Sequence, residues 1–229
     1  MYKTSRGNEI IQLLSGRSNV FIIKHYSGGI LMVDSSVKPA RRFLTWALEK
    51  QKIESINYLI LTHCHYDHAA NANFIRQKTG AMTVIHKSEA DYLRQGVMDI
   101  PEGTNPFADT LVTIARKINF NFRVEPCEVD IEMEDNLTLQ GFDGIVIIHT
   151  PGHSKGSVSV LVDDEIAVVG DTMINVALFK VLPPFADDAA LLKESWKKLL
   201  ATGCHTFLPS HGTHISREEL NSALQKPVA

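Results

Sequence analysis

The chain of 229 residues has little of what would place it in several large protein classes. It carries only three cysteines, Cys64, Cys127 and Cys204, which are too few and too scattered for a disulfide framework or a Cys-rich zinc module. That usage suits a reducing compartment. No apolar run approaches the roughly 20 residues of a membrane-crossing helix. Near the N-terminus the apolar pairs Ile10-Ile11 and Leu13-Leu14 are interrupted by Gln12, which does not make a secretory core, so a cytoplasmic protein is expected. An excess of positive charge is also missing. Lys and Arg number 23 against 26 Asp and Glu, a formal charge of −3, so neither nucleic acid nor a membrane surface is an expected partner. There is no Gly-x-Ser-x-Gly elbow for a serine hydrolase, no low-complexity tract and no evident linker. What remains is an ordinary globular composition, 44% hydrophobic and 21% charged, with one unusual count: ten histidines.

Hydrophobic periodicity predicts an alternation of strands and helices in the first third of the chain. Strands are expected at 19–24 and 30–34 around the hairpin signal Ser27-Gly28-Gly29, at 58–61 and at 82–86, with helices at 38–52 and 69–79. Two helical stretches, 88–95 and about 107–120, then flank a turn-rich segment with Pro101, Gly103 and Pro106. They read as a helical insertion at about 88–122 over one face. Strand-like runs follow at 128–131, 137–142, 145–149, 157–162, 165–169 and 206–208, with helices at 187–201 and 216–225. The economical organisation is one α/β domain over 1–229, two sheets with helices outside.

The histidines concentrate where predicted strands end. After the 58–61 strand comes Thr62-His63-Cys64-His65-Tyr66-Asp67-His68. If extended geometry persists, His63 and His65 share a face and Cys64 turns away into packing. Asp67 and His68 fall where the chain must turn into a helix and can serve a second, adjacent ion. Three more candidates each follow a predicted strand: His153 in Pro151-Gly152-His153, Asp171 in Gly170-Asp171-Thr172 and His211 in Ser210-His211-Gly212. Imidazoles and carboxylates suit zinc, and also iron or manganese. His149 and His214 lie close to these motifs, whereas His25, His86 and His205 are expected to be structural or surface residues.

These motifs resemble the metallo-β-lactamase superfamily, whose members carry a His-x-His-x-Asp-His loop, then Gly-His, Gly-Asp and a final His-Gly, in this order. The resemblance spans the chain from Asp34 to Gly212. It implies a four-layer αβ/βα sandwich, two mixed sheets with helices on the outer faces, built of two similar halves with the site at one edge. It implies a first metal on His63, His65 and His153, a second on Asp67, His68 and His211, Asp171 bridging both, and Asp34 supporting the metal-binding loop. It also implies an enzyme, a dinuclear zinc hydrolase in which a metal-bridging hydroxide attacks a small-molecule ester, thioester or lactone-type substrate, with Asp67 orienting the water. Glyoxalase-II-like thioesterases and lactonases share this ligand set. A phosphodiesterase of the same fold and a mononuclear iron sulfur (persulfide) dioxygenase, using two His and one Asp of the set, are the alternatives. The apolar segment 178–185 and the 107–120 helix are expected to wall a pocket for a partly apolar substrate.

Overall fold

The computed structural model describes residues 1–118 and 123–226. The first sheet has the order β1 (Tyr2–Lys3), β2 (Glu9–Leu14), β3 (Asn19–Lys24), β4 (Ile30–Val33), β5 (Tyr58–Ile60), β6 (Met82–His86) and β7 (Ile131–Met133), antiparallel from β1 to β4 and parallel from β4 to β7. The second contains β8 (Asn136–Thr138), β9 (Ile145–His149), β10 (Val158–Val162) and β11 (Ile166–Gly170). After a small hairpin of β12 (Ile174–Asn175) and β13 (Lys180–Val181), it adds β14 (Thr206–Pro209) and β15 (Ile215–Ser216). Its spatial order is β15-β14-β11-β10-β9-β8, with β11 and β14 parallel.

Alternation along the strands makes the layers. Phe21 and Ile23 of β3 face the space between the sheets and meet Ile147, Val160 and Val168 there. Val20 and Ile22 face the other way, where Leu44 and Leu48 of α1 (Arg41–Lys50), Ile75 of α3 (Ala72–Thr79) and Leu93 of α4 (Lys87–Gln95) cover them. On the far side of the second sheet, Leu161 and Phe207 pack under Leu192, Trp196 and Leu199 of α6 (Ala189–Leu200) and Leu220 of α7 (Arg217–Leu224). Helix, sheet, sheet, helix is the expected four-layer order. The remaining helices are the single turn α2 (Tyr66–Ala69) and α5 (Pro106–Lys117), capped by Asn105 accepting from the Ala108 amide. No helix among the described residues is long and apolar enough to cross a membrane.

Several boundaries differ from the sequence expectation. The 128–131 strand is β7 at Ile131–Met133, because the Asp130 carboxylate takes the Thr83 amide and ladder pairing begins only at Ile131 opposite Val84. The 137–142 strand stops at Thr138. Leu139 and Phe142 both turn into the inter-sheet core, joined by the Phe142 N–H to the Leu139 carbonyl with Gly141 at φ 82°. The apolar pairs at 10–14 form β2, and the helix expected at 69–79 is two helices, α2 and α3. Of the insertion expected at 88–122, α4 buries Ala90 and Leu93 in the helix layer over the first sheet; residues 119–122, including the expected end of the 107–120 helix, lie outside the described residues.

Both sheets present strand C-termini at one end. The chain leaves β4 at Asp34, β5 toward His63, β9 toward His153, β11 at Asp171 and β14 toward His211. The sheets are joined at that end. The Val158 amide donates to the Thr62 carbonyl (2.9 Å) and the Asn19 amide to that of Ser210.

Candidate metal centre

All seven candidate ligands meet at this junction. His63 Nε2 and His153 Nε2 lie 2.9 and 3.0 Å from His65 Nδ1, and Asp171 Oδ2 is 3.6 Å from His153 Nε2. The same carboxylate oxygen lies 3.5 Å from His68 Nε2 and 3.3 Å from His211 Nε2, which in turn is 3.4 Å from Asp67 Oδ2. Donors at about 2.1 Å around a tetrahedral ion stand about 3.4 Å apart, so both groups have the right span. Asp171 Oδ2 lies between them, near His153 on one side and His68 and His211 on the other.

The ring nitrogens turned inward are fixed by what holds the outer ones. Asp34 Oδ2 accepts from His68 Nδ1 (2.8 Å) and the Phe185 carbonyl accepts from His153 Nδ1 (2.8 Å), which turns each Nε2 inward to the cluster. The Thr62 hydroxyl donates to Asp34 and so accepts from His63 Nδ1 at 3.1 Å. One proton cannot serve the three converging nitrogens of His63, His65 and His153. His68 Nε2 and Asp171 Oδ1 are buried with no hydrogen-bond partner. Converging imidazole nitrogens and orphaned buried atoms of N and O type fit divalent metal binding.

Electrostatics divide the cluster in two. Burial, reinforced by the neighbouring imidazoles, holds His63 well below the usual imidazole range and takes His65 down to about 3, and burial also lowers His153. These three are neutral at physiological pH, as ligation requires. In the other half Asp171 drives His211 up to about 10. Against the opposing pull of burial, Asp171, Asp34 and Asp67 hold His68 well above its ordinary value. Asp67 and Asp171 are held low by His68 and His211, again against burial. The carboxylates thus favour the protonated form of His68 and His211 in this half of the cluster.

The family model of the metallo-beta-lactamase superfamily matches residues 15–211. The chain belongs to the metallo-beta-lactamase superfamily. It is 28% identical over 143 residues to the protein named "Probable metallo-hydrolase MJ0888" of Methanocaldococcus jannaschii, and the match covers 62% of each chain. The fold is similar to the BLEG-1 B3 metallo-beta-lactamase (TM-score 0.71, 21% identity, 95% of this chain and 100% of that one). It is also similar to TTHA1623 in a di-iron-bound form (TM-score 0.65, 20% identity, 92% and 96%).

Around the candidate ligands stand groups that sequence reasoning did not single out. Glu89 of α4 is buried. It accepts from the Cys64 amide, the Ser154 hydroxyl and the Gly156 amide (3.0 Å), tying the His63–His65 loop to the His153 loop. Trp196 donates its indole N–H to the Thr172 carbonyl (2.6 Å), anchoring the backbone beside Asp171. Ser210 donates to Asp34 (3.1 Å). At Gly170, φ is 54° and a Cβ would come within 2.7 Å of the Thr62 side chain, so the approach of β11 to the Thr62–Asp34 pair needs glycine there. Cys64 is buried in the first helix layer, as its alternation predicted. His149 stacks on His86 (4.0 Å between centroids) and His214 lies edge-on to Tyr2, so neither joins the cluster. A cavity of about 580 Å³ opens over the ligands. It is walled by α5 residues such as Val112 and by Val176, Phe179 and Phe185, which answers the expected pocket wall.

Proposed function

We propose that this superfamily member is a metallo-hydrolase with a dinuclear zinc centre, acting on a small ester, thioester or lactone-type substrate. The observation that carries the reading is Asp171 Oδ2, within 3.6 Å of His153, His68 and His211 and so common to two ligand groups. His63, His65 and His153 would hold one ion and Asp67, His68 and His211 the other, with Asp171 placed to serve both. When bound, two such cations polarise a substrate carbonyl and lower the pKa of a shared water to about 7. Asp67, which lines both the cluster and the cavity, accepts from and orients the attacking water. Asp34 keeps His68 Nδ1 as the outward donor and so aims Nε2 at the cluster. The apolar cavity walls lower the polarity around the reacting carbonyl and so strengthen charge interactions there. A small molecule is the expected partner and the cytoplasm the expected location.

Elemental analysis of protein purified without added metal tests the centre. About two zinc ions per chain are expected, with His153→Ala and Asp171→Ala losing both metal and hydrolysis of a panel of esters, thioesters, lactones and phosphodiesters. One iron per chain with oxygen-dependent persulfide turnover overturns the reading, as does full metal content in either variant.

A further inference from the structure

The cavity over the cluster has one property that metal ligation does not explain: apart from the ligands themselves and Arg17, its lining is almost wholly apolar. α5 contributes Leu111, Val112 and Ala115 from one side, and the turn of the β12–β13 hairpin contributes Val176 and Phe179 from the other. The apolar character continues beyond the mouth. Phe107, Leu111 and Ile114 of α5 and Ile118 at its C-cap recur at helical spacing and are all exposed, and Leu178 at the hairpin tip is 88% exposed. Leu111 belongs to both the exposed stripe and the cavity wall, so the two surfaces are continuous.

Arg17 is the single Lys or Arg among the lining residues. It sits in the turn between β2 and β3, exposed, and forms no ion pair or hydrogen bond with any described residue. The turn itself is held at the site: Ser18 donates to the Asp67 carbonyl and Ser15 to the Ser36 hydroxyl (2.7 Å). A guanidinium so placed offers a planar fork for a carboxylate. Resting on the hydrolase reading above, we propose that the substrate is amphipathic, an acyl compound whose extended alkyl chain lies between α5 and the hairpin and whose anionic group is held by Arg17. Arg17 is then a specificity-determining residue.

Non-hydrolysable thioethers test this without turnover. S-octyl thioglycolate, its neutral amide and S-ethyl thioglycolate are titrated calorimetrically into zinc-loaded wild type, Arg17→Gln and Leu111→Glu. Each buried methylene is worth about fourfold in affinity, so burial of half of the six additional methylenes gives an octyl preference of about 60-fold. Arg17→Gln is expected to weaken the carboxylate about five- to tenfold and leave the amide unchanged. Leu111→Glu is expected to weaken the octyl but not the ethyl compound. Equal binding of octyl and ethyl compounds overturns the assignment of the chain, and an equal effect of Arg17→Gln on acid and amide overturns that of the anion. Hydrolysis of the matching S-octanoyl thioglycolate, in which water cleaves the C–S bond to give octanoate and thioglycolate, is scored separately. Selective binding without hydrolysis overturns the hydrolase reading and leaves the recognition standing, whereas hydrolysis without selectivity does the reverse.

Discussion

A histidine can present a lone pair inward only when its other ring nitrogen is held as a donor, and Asp34 does this for His68 while accepting from three further groups. Its Oδ1 takes the Thr62 amide (2.8 Å), and its Oδ2 takes His68 Nδ1 and the Ser210 hydroxyl, with the Thr62 hydroxyl within reach of both. Asp34→Asn keeps the volume, but whichever way the amide turns, its N–H₂ opposes a donor. The expected result is a 10- to 100-fold fall in zinc affinity by chelator competition. A loss of about 1–3 kcal/mol in urea unfolding of the metal-free protein should accompany it. Unchanged affinity would show that His68 is not held through Asp34. The clustering of the candidate ligands was legible because four sit in one six-residue loop and the others each follow a strand beside glycine. Glu89, Ser210 and Arg17 were not: each is an unremarked residue in its own segment, and its partners come from other segments only when the two sheets and α4 are assembled.

Among the elements, the break between α2 and α3 was the least legible, since Ala69, Ala70 and Ala72 are all good helix formers. Tertiary hydrogen bonding overrides that propensity. Asn71 leaves the helix at φ −113° and sends its amide to the carbonyls of Ser35 (2.8 Å), Ser36 (3.2 Å) and Val37 (2.7 Å). The segment it grips is strained, with Asp34 at φ 63° and Ser36 at φ 58°, each costing about 1–2 kcal/mol for a residue bearing a Cβ. Asn71 therefore offsets the strain that aims Asp34 at His68. Asn71→Ala improves local helix propensity yet strands the carbonyls of Ser35 and Ser36, while that of Val37 keeps the Ala40 amide, and a net destabilisation of about 2–4 kcal/mol in urea is expected, with zinc affinity falling as well. A variant as stable as wild type would mean that the 34–37 turn holds itself. The strands that were legible, such as β3, β5 and β10, are those buried on both faces, where an unbroken apolar run suffices. β7 and β8 are three-residue strands whose ends are set by Asp130 and by the Leu139–Phe142 turn.

For the whole molecule, the net charge of −3 was readable from composition, but the way the site balances its own charge was not. In the metal-free chain the carboxylates of Asp67 and Asp171 are neutralised by protons on His68 and His211. The sign of the resulting pH dependence follows. A histidine raised in the folded state stabilises fully below its unfolded value near 6.5 and loses that contribution as pH climbs, for His211 through about 10. The depressed carboxylates stabilise above their unfolded values and lose it as pH falls. The depressed His63, His65 and His153 likewise favour unfolding below about 6.5, because only the unfolded chain protonates them freely. Metal-free protein should therefore be most stable near pH 6.5, with Tm declining toward pH 10 and toward pH 4. Zinc must displace the protons on His68 and His211 to bind there, so loading at pH 7 should eject at least about two protons per chain, read by titration in weakly buffered solution. The loaded protein should then lack the decline between pH 6.5 and 10. Release of one proton or none, with the alkaline decline persisting after zinc is added, would show that the two imidazolium groups do not occupy the position of a second ion.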